Sequence, residues 1–213
     1  DAQRMAVHGG DVLAAATLAP TLPAALVGCD RAIATTGRLH PQAQPLDPPE
    51  VALPWLLPPT PDHKFAAALV FGPEDRGLSN AELIYAQRWI RIPATDAYPS
   101  LNLAQAVAVC GYLLHRFATA EAATMGASMG AAPATHAKQG PAPAAPLEQM
   151  EMFYGDLEVL LLKIGYLYPH TASSRMAKLR RLFHRAEPDS QELAMLRGIL
   201  RQLNWAVDSR SQD

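Results

Sequence analysis

An α/β fold built on a parallel sheet, followed by a small all-α unit, is the architecture that this sequence predicts. Three observations carry it. Short apolar runs alternate with helical stretches through the first half of the chain, the order that builds parallel sheets. Residues 118–146 ("ATAEAATMGASMGAAPATHAKQGPAPAAP") are Ala, Gly and Pro with few large apolar groups, a composition that does not offset its own ordering entropy. Beyond them, apolar residues step by three and four with no strand signal.

Taken in order, Ala2–Val7 reads as the end of a short helix, Ala14–Leu18 as a short strand and Leu22–Val27 as a helical turn or two. Arg31–Thr36 ("RAIATT") reads as a buried strand. Pro-rich coil follows, with a short helix near Glu50–Leu57. Ala66–Phe71 ("AAALVF") is continuously apolar and ends in Gly-Pro, the mark of a central parallel strand. Ser79 and Glu82 stand at capping-box spacing, so Ser79–Tyr85 is a predicted helix. Trp89–Ile92 is a further strand and Leu101–Phe117 a long helix. Residues 118–146 are the predicted linker, flexible at first and stiffer through its last prolines. In Leu147–Gly165, Phe153, Leu157, Leu160, Leu161 and Ile164 recur at helical spacing. Ser173–Arg185 is a second helix. Asp189 with Glu192 three residues on starts a third, whose stripe Leu193, Leu196, Leu200, Leu203 and Val207 is ordinary core spacing. The predicted domains are therefore 1–117, a linker 118–146 and a helical extension 147–213.

Composition narrows the function. A net charge of −2 gives no global signal for nucleic acid, so any such signal must be local. No apolar run reaches the roughly 18–20 residues of a membrane helix, and no signal peptide is visible, so no membrane partner and a cytoplasmic location are expected. The two cysteines, Cys29 and Cys110, sit in apolar surroundings and read as buried reduced thiols. No Walker loop, Rossmann fingerprint or nucleophile elbow is present, and the seven histidines show no metal-ligand spacing, so no metal is expected.

Three polar loops follow predicted strands: Thr35-Thr36-Gly37-Arg38, Phe71 to Ser79, and Ile92 to Asn102. Singly each is a turn. In a parallel sheet they share the carboxyl edge, where ligands bind. The segment "YPSLNLAQAV" (98–107) places Asn102 at a helix entrance, either as a plain N-cap or as a buried amide with a binding role. On the second C-terminal helix, Arg175, Lys178, Arg180, Arg181 and Arg185 form a basic cluster, with Lys178, Arg181 and Arg185 on one face. That is either a solvated face or a phosphate-neutralising one.

"ALVFGPEDRGLSNAEL" followed by "IPATDAYPSLNLAQAV" resembles the second and third motifs of the SPOUT (trefoil-knot) RNA methyltransferases, ribose 2′-O branch. The tail, "FYGDLEVLLLKIGYL" and "KLRRLFHRAEPDSQELAMLRGIL", resembles the helical extension of TrmH/TrmJ-type tRNA methyltransferases. The resemblance covers nearly the whole chain outside the linker. It implies a sheet whose last part is threaded into a trefoil knot, with S-adenosyl-L-methionine as cofactor. The contacts implied are Thr35, Thr36, Gly37, Gly72, Ile92, Pro99, Ser100, Leu101 and Asn102. Glu74 and Asn102 take supporting catalytic roles, and Arg175, Lys178, Arg181 and Arg185 bind RNA. The implied reaction methylates a ribose 2′-hydroxyl of tRNA, a cytidine or uridine at anticodon-loop position 32, in a homodimer paired through the knot domain. The family's catalytic arginine lies in an Asn-x-Gly-Ser-x-Ala-Arg segment that these 213 residues do not contain, so the domain is expected to lack its first strand and first motif. The alternatives are a non-catalytic remnant that binds RNA or a protein partner through its helical extension, and a relative acting on ribosomal RNA, which the tail disfavours.

Overall fold

Residues 4, 6–37, 46–58, 65–95, 100–128 and 144–210 are described by the computed structural model, 121–128 and 210 by backbone alone. Four parallel strands form the sheet: β1 (Arg31–Thr35), β2 (Leu46–Asp47), β3 (Ala67–Val70) and β4 (Arg88–Ile90), in the order β2-β4-β1-β3. Among them run α1 (Gly10–Ala15), α2 (Leu22–Ala25), α3 (Pro49–Ala52) continued by a 3-10 turn (Leu53–Leu56), and α4 (Asn80–Leu83). The long α5 (Leu103–Ser128) closes this half, and α6 (Leu147–Lys163), α7 (Ala172–Ala186) and α8 (Ser190–Arg210) make the second.

Side-chain alternation in β1 divides the core into two layers. Ala32 and Ala34 point to one face, where Leu26, Leu78, Leu83, Ala86 and Trp89 cover them. Ile33 points to the other, against Leu53, Leu56, Ile90, Cys110 and Leu113. Small residues on one side of β1 and a large one on the other let helices approach at different depths. Between β1 and β4 the buried Gln87 serves as a side-chain extension of the ladder: its Oε1 accepts from Ala32 N–H at 2.6 Å, and its Nε2 donates to the Asp30 carbonyl at 3.0 Å. A third core holds the C-terminal helices together through Phe153, Tyr154, Met176 and Leu193, with Phe183 edge-on to Phe153 at 4.9 Å.

Three predicted elements change. Ala14–Leu18 is not a strand; Gly10–Ala15 is a helix, and residues 10–20 are all exposed, with no sheet neighbour among the described residues. The Ala66–Phe71 run is a strand but not a central one. β3 pairs only with β1 among the described strands, and Ala67 is exposed there. An apolar run of this kind reports a strand and not its rank in the sheet. The helix expected to end at Phe117 continues to Ser128, so the first eleven residues read as linker are helical. Alanine-rich sequence that buries little still has the highest intrinsic helix propensity, which a composition argument about burial overlooks. The remaining elements fall within a few residues of expectation, and the Ser79–Glu82 capping box is present in full. Residues 2, 3 and 5 of the expected Ala2–Val7 helix, and linker residues 129–143, lie outside the described residues.

Candidate functional site

A cavity of about 190 Å³ opens at the carboxyl edge of the sheet, where β1, β3 and β4 end side by side. Each strand hands its wall to a loop. Thr35, Thr36 and Gly37 come from β1, Phe71 to Leu78 from β3, and Ile90 and Ile92 from β4. Ser100, Leu101, Leu103 and Ala106 supply the fourth wall from the start of α5. The β1 and β3 ends are pinned by Thr35 Oγ1 donating to the Val70 carbonyl at 3.2 Å, and the β1 and β4 ends by Thr36 N–H donating to the Ile90 carbonyl at 3.0 Å.

The loop after β3 is tightly folded. Gly77 N–H donates to the Pro73 carbonyl at 2.8 Å, and Gly77 sits at φ +67°, the left-handed region that favours glycine. Gly72 is required for a different reason: a Cβ there would stand 2.3 Å from Gly77 C and from Leu78 N. Two stretches of main chain cross at that point with no room for a side chain. Outside the crossing, Arg76 forks onto Glu82 with bonds of 2.8 and 3.1 Å, and Glu82 also accepts from Ser79 N–H and Oγ–H at 2.7 Å. The Arg76 guanidinium, followed by the Ser79 donors, holds the Glu82 carboxyl at about 2, well below the usual carboxylate range. This outer brace fixes the loop from its solvent side.

At the mouth, Asn102 Nδ2 donates to Glu74 Oε1 at 2.5 Å, tying the α5 entrance to the β3 loop. Its Oδ1 accepts from Ala104 N–H at 3.0 Å and Gln105 N–H at 3.4 Å. The residue is therefore a genuine N-cap as well as a strut. It is exposed, which corrects the expectation of a buried amide: its partners are gathered at the rim, not inside.

The structure thus brings together Thr35, Thr36, Gly37, Gly72, Ile92, Ser100 and Leu101 as cavity walls, with Glu74 and Asn102 bonded at the rim. Pro99 lies outside the described residues. Sequence reasoning placed Phe71 in a candidate ligand loop but did not name Ile90, Leu103 and Ala106 as wall residues. The i, i+3 spacing of Leu103 and Ala106 behind a cap was the available signal for the last two.

The basic cluster on α7 divides. Arg175, Lys178 and Arg185 are exposed and Arg181 half-buried. Arg180 is not a free cation: it pairs with Glu151 and stacks on Tyr154 and Tyr85 at 4.3 and 5.4 Å, so it works in the fold. Cys110 is fully buried and Cys29 half-buried, both free, and burial pushes both thiols up, away from the reactive thiolate. Among the described residues no helix is long and apolar enough to cross a membrane, and no group of three His, Cys, Asp or Glu side chains could hold a metal ion.

Residues 1–112 match the SpoU rRNA Methylase family, and residues 148–212 match the family described as tRNA methyltransferase TrmJ, C-terminal domain. The tRNA (cytidine/uridine-2′-O-)-methyltransferase TrmJ of Cronobacter sakazakii is 38% identical over 203 residues, which are 94% of this chain and 78% of that protein. The protein of the same name from Klebsiella pneumoniae is likewise 38% identical, over 94% of this chain and 79% of its own. The crystal structure of TrmJ from Z. mobilis ZM4 superposes with a TM-score of 0.73 at 30% identity, covering 94% of this chain and 79% of that one.

Proposed function

The chain belongs to the SpoU rRNA methylase family, with the C-terminal domain of the TrmJ tRNA methyltransferases, and from that premise we propose that it methylates a ribose 2′-hydroxyl of tRNA in the cytoplasm, using S-adenosyl-L-methionine. A cytidine or uridine at anticodon-loop position 32 is the proposed target. The observation that carries the reading is the cavity: three strand ends and one helix entrance, seven of whose walls are the residues that the resemblance assigned to the cofactor.

The donor supplies an electrophilic methyl group on a sulfonium. What this chain does is hold and orient. Irregular main chain at Thr36–Gly37, at Gly72–Gly77 and before α5 leaves amide and carbonyl groups near the cavity, which suits an adenine edge and a ribose. Ile90, Ile92, Leu101 and Leu103 give the apolar surface that a purine needs. Ala106 is small where the helix passes the cavity. Alignment of donor and acceptor then contributes most of the rate, because the methyl is already activated. Glu74, positioned by Asn102, sets a carboxylate at the rim, where the incoming ribose has to pass.

Two further parts belong to the proposal. The trefoil knot is supported by the way the α5 entrance is bonded through Asn102 to the β3 loop that it would thread. A homodimer through this domain is supported by the outer face of α5, where Val109 and Tyr112, three residues apart on one side of the helix, are both exposed. On α7, Arg175, Lys178, Arg181 and Arg185 are proposed to neutralise tRNA phosphates. The reading of the chain as a non-catalytic remnant loses its ground with the assembled cavity and the length of the match to TrmJ proteins.

Titration calorimetry with S-adenosylhomocysteine tests the reading directly. One site per chain is expected, lost in Ala106→Phe, which fills the cavity without touching the Gly72 crossing. A folded chain that takes up no S-adenosylhomocysteine would refute the cofactor assignment. Tritiated methyl transfer to unmodified tRNA, followed by mapping of the modified nucleoside, tests the acceptor.

A further inference from the structure

The loop between α6 and α7 displays aromatic rings beside the basic helix. Tyr166 and Tyr168 are 55% and 53% exposed, whereas Leu167 between them is 1% exposed and packed in the third core. With Leu167 anchored in the core, the tyrosines on either side of it stay half in water.

The loop is also rigid. Gly165 turns it at φ +75°, and Leu167 N–H donates to the Leu161 carbonyl at 2.9 Å. The Tyr168 carbonyl accepts from Thr171 and Ala172 N–H at 2.8 Å each. Arg175, in the first turns of α7, donates to the Tyr166 carbonyl at 2.7 Å and lies over the Tyr166 ring at 5.5 Å. His170 lies near-parallel to Tyr168, with centroids 6.0 Å apart and planes 25° apart. Lys178 is exposed one turn further along the helix.

We propose that Tyr166 and Tyr168, flanked by His170 and Arg175, form a stacking platform for unpaired bases of the RNA substrate. The combination is what single-stranded RNA recognition requires. Pre-ordered π-faces meet the bases, and cations at the edge meet the phosphates that join them. A double-stranded stem has its bases already stacked and gains nothing from such rings. The platform therefore reads an open loop or end, while the α7 cations hold the backbone on either side. This rests on the proposed tRNA substrate and adds to it a site that distinguishes paired from unpaired RNA.

The experiment uses the full chain and two fluorescent RNAs of equal length, a tRNA anticodon stem-loop and a perfect duplex. Affinities are read by anisotropy over a range of salt. The double variant Tyr166→Ala/Tyr168→Ala is expected to bind the stem-loop roughly tenfold more weakly and the duplex within about twofold of wild type. Its salt dependence should be unchanged, because stacking releases no counterions. Tyr166→Phe/Tyr168→Phe, which keeps the rings, should bind like wild type. Lys178→Ala instead should weaken both RNAs and flatten the salt dependence. If the double alanine variant binds both RNAs like wild type, or loses both equally, the platform is refuted while the tRNA reading stands. If wild type holds neither RNA, both fall. Equal retention of S-adenosylhomocysteine binding shows that the variants are folded.

Discussion

Gly72 and His184 show how much a single position decides in this molecule, for opposite reasons. At Gly72 the constraint is steric. Any Cβ meets the Gly77–Leu78 main chain at 2.3 Å, and main chain cannot swing aside as a side-chain tip would. Gly72→Ala is expected to destabilise by about 3 kcal/mol or more and to lower the melting temperature by on the order of 10 °C. Differential scanning fluorimetry reads this, and S-adenosylhomocysteine affinity should fall with it because the loop is a cavity wall. At His184 the constraint is dielectric. The ring is buried edge-on to Tyr154, and burial, with the nearby Arg180 charge, pulls it down to about 4 from an ordinary 6.5. The unfolded chain therefore binds a proton that the folded chain refuses. The folded state keeps its full advantage above about pH 6.5 and loses it as pH falls towards 4, by roughly 3 kcal/mol at the end of that window. Urea titrations at several pH values should show this slope in wild type and a shallower one in His184→Gln.

At the scale of elements, what was legible in the sequence is what local chemistry determines. Ser79 with Glu82, and Asp189 with Glu192, announced two helix starts that the structure has, because a capping box is closed by residues three apart. Arg31–Thr35 was legible because an apolar run between turns has few other uses. Non-local facts were not legible. Nothing in "AAALVF" says whether one neighbour or two will pair with it, and β2 is too short, at two residues, to leave a pattern. The cavity shows the same division. Its loops, its cap and, from their spacing behind it, Leu103 and Ala106 could be read from sequence, whereas Ile90 joins it only because the strand ends meet there. The outer face of α5 lies between these cases. It is helical by sequence, and the exposure of Val109 and Tyr112 on one side of it belongs to the tertiary structure and not to the helical pattern. Tyr112→Asp should leave the chain folded and convert the proposed dimer to monomer, as measured by light scattering on a sizing column. A monomeric wild type would refute the pairing.

Across the whole molecule, the question is whether the helical extension is tethered to the methylase domain or seated on it. The contacts favour seating. Leu147, the first residue of α6, is 3% exposed and packed with Leu26, Ala32 and Trp89 in the core of the methylase domain, and its N–H donates to the Cys29 carbonyl at 3.0 Å. Ala145 N–H donates to the Pro188 carbonyl at 2.8 Å, so the same short strap grips the α7–α8 turn. Arg88, whose guanidinium lies over Trp55 at 4.4 Å, reaches Glu187 at 3.1 Å, and Arg180 covers Tyr85. Magnitudes separate their roles. The Arg88–Glu187 pair is about one-third exposed on both sides and contributes under about 1 kcal/mol. Burying Leu147 contributes about 2 kcal/mol, and truncating it also leaves a cavity. The leucine holds the joint, and the ion pair adds little to it. Leu147→Ala is therefore expected to cost about 3 kcal/mol. It should also raise hydrogen exchange in both the Leu26–Cys29 turn and the start of α6, because one side chain serves both cores. Glu187→Ala should leave exchange in the methylase core at wild-type rates. Should Leu147→Ala loosen the helical unit alone, the extension is a tethered module and not a seated one.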